Sequence, residues 1–542
     1  MDPAYEILSL GCRCAALTAY FILGSMVIAG IVSVLLVLPL VAAETAPIVA
    51  VTGGRIRGAR LGQGGAVFKG VPYARPPVGP LRWREPARVE RWAGVRDANG
   101  FGPPCAQNSY FATNNRETSK EDCLYLNIWT PALPASPNIR GRKLKPVMVW
   151  IHGGGDFAGD ANENGRGGGE KLMAHDVVVV TLSYRLGLFG FFAHPELTRE
   201  SSHHASGNQG ILDQIEALRW VKANIARFGG DPGNVTIFGE SAGSFNVSVL
   251  MTSPLSRGLF RRAVAQSGSV ILLSAPLSLA DSEKRGVSLA ASWGAGAVPP
   301  LQTLRDLPVA QILKSEPDFL RSPAPNLGLT VDDYVFPQRP TDVFAEGKQH
   351  RVDMLLGNLA HEWVPGVGPP QDLTQTIERT YTADHAGQAL TLYTASAADP
   401  LYGSPAEQWA EDTGFRCSGV TQLIWHTAAG NRAFEFQMDH APPFNLRNTH
   451  SQDVAYVFGT VDGPEYKAAD HALSEVMQKY WTNFAKTGNP NGPGLPVWPP
   501  FDPVARAYLA FGDGSPVAKE GLRRPFCDLF TENIKRQMTN RH

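Results

Sequence analysis

Residues 146–151 (PVMVWI) and 176–184 (DVVVVTLSY) are short, nearly uninterrupted apolar runs, the second rich in β-branched side chains. Runs of this length and make-up read as strands buried on both faces. From 208 to 228 the period changes: Ile211, Ile215, Leu218, Val221, Ala223 and Ile225 fall on or near one face at helical spacing. Gly229-Gly230-Asp231-Pro232 then stops the helix, glycine first and proline after. Residues 235–238 read as a third strand, and the chain turns helical again after Ser241. Further strands are predicted at 353–356 and 433–436, and the proline-rich stretch 276–340 reads as helices and loops beside the sheet. Strand and helix alternating in this order predict an α/β protein, with a large, mainly parallel central sheet flanked by helices on both faces. No linker interrupts the pattern after residue 50, so 44–542 is expected to be a single domain.

The amino-terminal stretch follows a different rule. Residues 14–43 carry no charged side chain, and 20–40 is strongly apolar. About twenty such residues span a bilayer as a helix. Arg13 supplies a positive flank and Val41-Ala42-Ala43 resembles a small-residue cleavage site. Residues 1–43 are therefore expected to be a cleaved export signal or a membrane anchor, with attachment through 14–43 in the second case. Either places the rest of the chain in an oxidising space, secreted, periplasmic or anchored outside the cytosol. Beyond that segment stand Cys105, Cys123, Cys417 and Cys527, which are expected to be disulfide-bonded, with three pairings open.

Composition narrows the function. Forty-nine Lys and Arg against 50 Asp and Glu give a formal net charge of −1, so no basic surplus argues for a nucleic-acid partner. At 43% hydrophobic the chain has enough apolar material for a large core, which excludes disorder. No Cys-x-x-Cys or His/Cys ligand spacing is present, and neither metal nor organic cofactor is expected.

The candidate nucleophile is Ser241 in Gly239-Glu240-Ser241-Ala242-Gly243, a G-x-S-x-G motif between a predicted strand and a predicted helix. That context suits a serine on a sharp turn with its hydroxyl projecting, and flanking glycines permit close backbone approach. The second element is His152-Gly153-Gly154-Gly155, at the end of an earlier strand. Acyl transfer through a tetrahedral oxyanion needs preorganised donors, and the N–H groups of Gly154, Gly155 and Ala242 are the candidates. His152 is expected to prop this loop. Asn234 and Asn246 open formal glycosylation sequons, both in the predicted core and expected to be unmodified.

With these motifs on one chain, the sequence resembles the type-B carboxylesterases, the cholinesterase-like branch of the α/β-hydrolases, over about 47–530. The most specific stretches are Phe228-Gly229-Gly230-Asp231-Pro232 through Gly243, and Glu121-Asp122-Cys123-Leu124-Tyr125-Leu126-Asn127-Ile128-Trp129. Phe68-Lys69-Gly70-Val71-Pro72-Tyr73-Ala74 and Gln266-Ser267-Gly268 are further landmarks. The resemblance implies an α/β-hydrolase fold and hydrolysis of small or medium esters through an acyl-enzyme. It implies His450, in His450-Ser451-Gln452-Asp453, as general base and acid, and Glu362 as the carboxylate that orients it. The family's disulfide framework fits Cys105 with Cys123 and Cys417 with Cys527.

Two departures stand out. His361 and Trp363 flank Glu362 where the family ordinarily has Asp and Gly, leaving Asp353 and Asp372 as alternatives for the acid. Asp156 follows the glycines where the family has an aromatic residue. A carboxylate there would oppose an oxyanion unless it points away, is screened, or attracts a polar or cationic substrate. Asp156 and Trp363 are thus candidate substrate-pocket residues. The loop 105–123 contains Tyr110 and Phe111 but no Trp, which argues against choline esters. The same triad would serve lactones, amides or aryl esters, and a non-catalytic binding ectodomain is the rival from another class.

Overall fold

The structure, a computed structural model, describes residues 46–108, 115–134, 141, 143–162, 168–271, 276–296, 300–320, 328–362, 369–443 and 449–540. The export or anchor segment, Tyr110, Phe111 and Trp363 lie outside the described residues. The chain divides into Met1–Thr45 and a compact unit, Ala46–His542.

The central sheet has eleven strands. In chain order they are β1 (Ala59–Arg60), β2 (Ala66–Pro72), β3 (Tyr125–Thr130), β4 (Lys145–Ile151), β5 (Val178–Leu182) and β6 (Gly230–Glu240). Then come β7 (Arg262–Gln266), β8 (Asp353–Leu359), β9 (Ala433–Met438), β10 (Ala507–Phe511) and β11 (Val517–Glu520). Their spatial order is β11-β10-β9-β8-β7-β6-β4-β5-β3-β2-β1. Pairing is parallel from β5 through β10 and antiparallel at both edges.

Eight helices matter below: α1 (Gln209–Asn224), α2 (Ala242–Leu250), α3 (Val309–Leu320), α4 (Pro405–Glu411), α5 (Cys417–Ala428), α6 (Gln452–Phe458), α7 (Ala468–Thr487) and α8 (Arg524–Thr539). The continuous apolar runs are explained by two cores, one on each face of the sheet. Val147, Val149 and Ile151 of β4 join Ile211, Ile215 and Leu218 of α1, while Met148 and Trp150 join Trp481 and Phe484 of α7. Burying each such aliphatic side chain is worth about 1.5–3 kcal/mol, which a half-exposed sheet would forfeit on every second residue.

Some boundaries differ from expectation. The helix predicted over 208–228 is α1 followed by a 3₁₀ turn, Ile225–Phe228, and Ala223 is exposed on its outer side. Strand β6 begins at Gly230, before Pro232, and a register shift between Lys145 and Val147 of β4 absorbs the irregular Asp231–Asn234 stretch. The stretch 276–340 contributes helices, α3 among them, and a two-stranded ribbon, Leu277–Ser278 with Thr330–Val331. Disulfides join Cys105 to Cys123 and Cys417 to Cys527, the latter tying α5 to α8.

Strand β4 pairs with β5 on one side and β6 on the other. The chain therefore reverses its direction of travel across the sheet at β4, and the carboxyl ends of β4 and β6 open a crevice. Such switch points are where open α/β sheets place their ligands.

Candidate active site

Both local motifs sit at that crevice. The glycine loop follows β4, and Ser241 follows β6 as the residue before α2, with φ 56° and ψ −123°. A non-glycine residue held there costs about 1–3 kcal/mol, and the surroundings must enforce it. They do so by close packing. A Cβ on Gly243 would lie 2.0 Å from the Ile151 carbonyl oxygen, and one on Gly153 would lie 3.1 Å from the Ser241 Cβ. Glycine at both positions is what lets the loop and the elbow meet.

Gly154 and Gly155 adopt φ of 99° and 67°. The Gly154 carbonyl accepts the N–H groups of Phe157 and Ala158, closing the loop on itself. Among the described residues, the N–H groups of Gly154, Gly155 and Ala242 have no acceptor. His152 is buried, with Nδ1 2.8 Å from the Gly153 carbonyl oxygen and its ring stacked on Tyr184 at 4.5 Å.

His450, just ahead of α6, lies against Glu240 at the end of β6. Its Nδ1 is 2.7 Å from Glu362 Oε2, and its Nε2 is 3.1 Å from Glu240 Oε1. Phe415 packs on the ring at 5.0 Å. Glu362 lies just after β8 and is buried; its other oxygen accepts the Ser267 hydroxyl at 2.6 Å and the Leu359 N–H at 2.7 Å. Burial pushes the imidazole down, but Glu240 and Glu362 outweigh it and raise His450 to about 9. The Ser241 hydroxyl is half-buried and has no hydrogen-bond partner among the described residues. In this resting geometry the imidazole is held by Glu240, the neighbour of Ser241 in the chain.

The alternative acids are engaged elsewhere. Asp353 pairs with Arg432 at 3.0 Å, and Asp372 caps the helix Leu373–Thr380 through the Gln375 N–H. His361 turns away from His450, to Glu411 of α4 at 2.9 Å. Asp156 is buried, and its side chain meets Tyr184 and Asn246.

Sequence reasoning missed Glu240 and Ser267. Glu240 lies inside the serine motif and Ser267 inside a family landmark, so both were in view, but neither has a local signal of its role. Ser241, Ser267, Ser451 and Asp156 all adopt positive φ, at 56°, 56°, 75° and 61°. Among the described residues, no group of three or more His, Cys, Asp or Glu side chains is placed to hold a metal ion. Nor is any described helix long and apolar enough to cross a membrane.

Sheet order, crevice and crossing connections define an α/β-hydrolase fold. The crystal structure of a carboxylesterase from Geobacillus stearothermophilus superposes with a TM-score of 0.76 at 31% identity, covering 89% of this chain and 99% of that one. A family model described as "Carboxylesterase family" matches residues 45–530. The chain belongs to the carboxylesterase family and is a carboxylic ester hydrolase. Similar curated proteins include a medium-chain fatty acyl-CoA hydrolase precursor of Anas platyrhynchos, 34% identical with 88% of this chain and 90% of that protein covered. Liver carboxylesterase 1 of Oryctolagus cuniculus is 34% identical (84% and 87% covered), and carboxylesterase 3 of Homo sapiens is 33% identical (96% of each).

Proposed function

We propose that the protein hydrolyses small or medium carboxylic esters through an acyl-enzyme on Ser241. What supports this is the packing of the glycine loop against Ser241, together with the Glu362–His450 pair lying against Glu240, the residue before Ser241. His450, once neutral and released from Glu240, takes the Ser241 proton as the hydroxyl oxygen attacks the ester carbonyl. Glu362 stabilises the imidazolium that forms. Charge on the carbonyl oxygen is met by the uncommitted N–H groups of Gly154, Gly155 and Ala242, donors of a kind worth about 10²–10³ in kcat each. The imidazolium returns its proton to the leaving alcohol. A water deprotonated by His450 then attacks the acyl carbon, releasing the acid and restoring the serine.

The two disulfides support a catalytic domain, 44–542, that folds in an oxidising compartment, with residues 1–43 delivering it there as signal or anchor. The test is turnover of p-nitrophenyl butyrate by the wild type and Ser241→Ala, with mass spectrometry after a fluorophosphonate. We expect turnover and a Ser241 adduct in the wild type alone. Hydrolysis that survives Ser241→Ala would overturn the mechanism, and no turnover by either protein would reject small esters as the substrate class.

A further inference from the structure

Asp156 lies at the end of the glycine loop, yet its carboxylate is 3% exposed and has no cationic partner among the described residues. Its backbone continues the left-handed run of Gly154 and Gly155, with φ 61°, and its carbonyl accepts the Gly187 N–H at 2.7 Å. Oδ1 lies 2.8 Å from the Asn246 Nδ2 of α2 and 3.0 Å from the Tyr184 hydroxyl. That hydroxyl also lies 2.9 Å from the His152 carbonyl oxygen, at the other end of the glycine loop.

Counting protons decides the arrangement. The Tyr184 hydroxyl has one hydrogen and faces two oxygens, a carbonyl that can only accept and the Asp156 carboxyl. A charged carboxylate and the carbonyl would compete for that hydrogen, and the charge would be buried without a cation. A protonated carboxyl removes both costs: Oδ1 carries the proton and donates it to Tyr184 while accepting from Asn246, and Tyr184 donates to the His152 carbonyl. Oδ2 is buried and has no partner among the described residues, a position that costs a neutral carbonyl oxygen less than a charged carboxylate. Burial pushes the Asp156 carboxyl up to about 7, against the hydrogen bonds from Asn246 and Tyr184, which favours the same state below neutrality.

We infer that Asp156, in its neutral form, is a positioning residue that spans the glycine loop and fastens it to the helix carrying Ser241. The carboxyl is buried beneath the loop's surface and acts through its neighbours. It joins the loop's two ends through Tyr184 and fixes them against α2 through Asn246, so the donors at Gly154 and Gly155 keep their distance from the nucleophile. The departure from the family's aromatic residue thereby leaves no anion beside the developing oxyanion. This inference rests on the proposed oxyanion role of the loop.

The experiment compares wild type, Asp156→Ala, Asp156→Asn and Ser241→Ala on p-nitrophenyl butyrate at pH 6.5, with thermal melts to confirm folding. Loss of the anchor should lower kcat about tenfold to a hundredfold while KM stays within about threefold, because misplaced donors fail the transition state more than the bound ester. Asparagine tolerates positive φ and keeps an oxygen for Asn246, but no one amide atom can both donate to Tyr184 and accept from Asn246, so Asp156→Asn should recover kcat in part, to between the Ala variant and wild type. Should Asp156→Ala not fold, Asp156→Gly replaces it, since glycine takes φ 61° freely. Wild-type kcat in the Ala or Gly variant would overturn the inference, as would an Asn variant as impaired as Ala. Activity in Ser241→Ala would instead reject the proposed mechanism.

Discussion

Glu240→Gln removes one of two carboxylates that hold His450. Glu240 lies 3.1 Å from Nε2 and Glu362 2.7 Å from Nδ1, and together they lift the buried imidazole from its ordinary 6.5 to about 9. That rise corresponds to a few kcal/mol. A unit-charge pair at 3.1 Å and an effective dielectric of about 20 is worth about 5 kcal/mol, comparable with the whole rise. Neutralising Glu240 should therefore lower His450 by about two pH units, to near 7. The base acts only when deprotonated. At pH 7 the neutral fraction is about one in a hundred for a group titrating near 9 and about one half for one near 7. Glu240 also favours the imidazolium that forms in the transition state, so the variant's plateau at high pH should fall. The assay is kcat/KM for p-nitrophenyl butyrate from pH 5.5 to 10, which reports the free enzyme. The acidic limb of the variant should lie about two pH units lower, and the ratio of variant to wild type should climb as pH falls from 9 to 7. Coincident limbs would refute the account, because Glu240 would then not be what holds the proton on His450.

The same pairs link pH to folding. A base raised from 6.5 to about 9 contributes stability that is fully present below 6.5 and is lost as pH rises through 9. Wild-type thermal stability should lose this contribution between those values, and Glu240→Gln should lose less; parallel melting curves across the range would contradict this. Ser267→Ala leaves Glu362 Oε1 with the Leu359 N–H alone, and a hydrogen bond to a charged group is worth about 1.5–3 kcal/mol. Urea unfolding should register that loss together with a lower kcat; unchanged values in both would show that Ser267 does not hold the acid. Replacing both Cys417 and Cys527 by Ser opens a bridge of sequence separation 110, worth about 4.8 kcal/mol by chain entropy, against about 3.2 kcal/mol for the Cys105–Cys123 bridge of separation 18. The Cys417/Cys527 pair should therefore cost more stability than the other, and the reverse order in denaturant midpoints would reject the loop argument.

How far the chain could be read depended on the distance over which each feature is set. The buried strands were legible because two-sided burial favours an apolar residue at nearly every position, as in β4 and β5. The serine elbow and glycine loop were legible for a related reason: their strain is local, and glycines at 239, 243 and 153–155 mark it in the sequence itself. Strand ends were less legible, since β6 extends back past Pro232 only because β4 is there to pair with it. The acid and base required a family resemblance, for nothing near Glu362 announces a histidine 88 residues further on. Asp156 is the informative middle case. Its oddity was visible in the sequence, but a carboxylate after an oxyanion loop has opposite meanings according to what it faces. The partners that decide between them are Tyr184, 28 residues away, and Asn246, 90 residues away. Asn246 itself reads as a sequon, yet it is fully buried and its amide donates to Asp156, so it has no room for a glycan. Local pattern thus locates the groups that react, whereas the groups that set their charge and position, Glu240, Ser267 and Asp156, acquire their roles only when distant segments close around them.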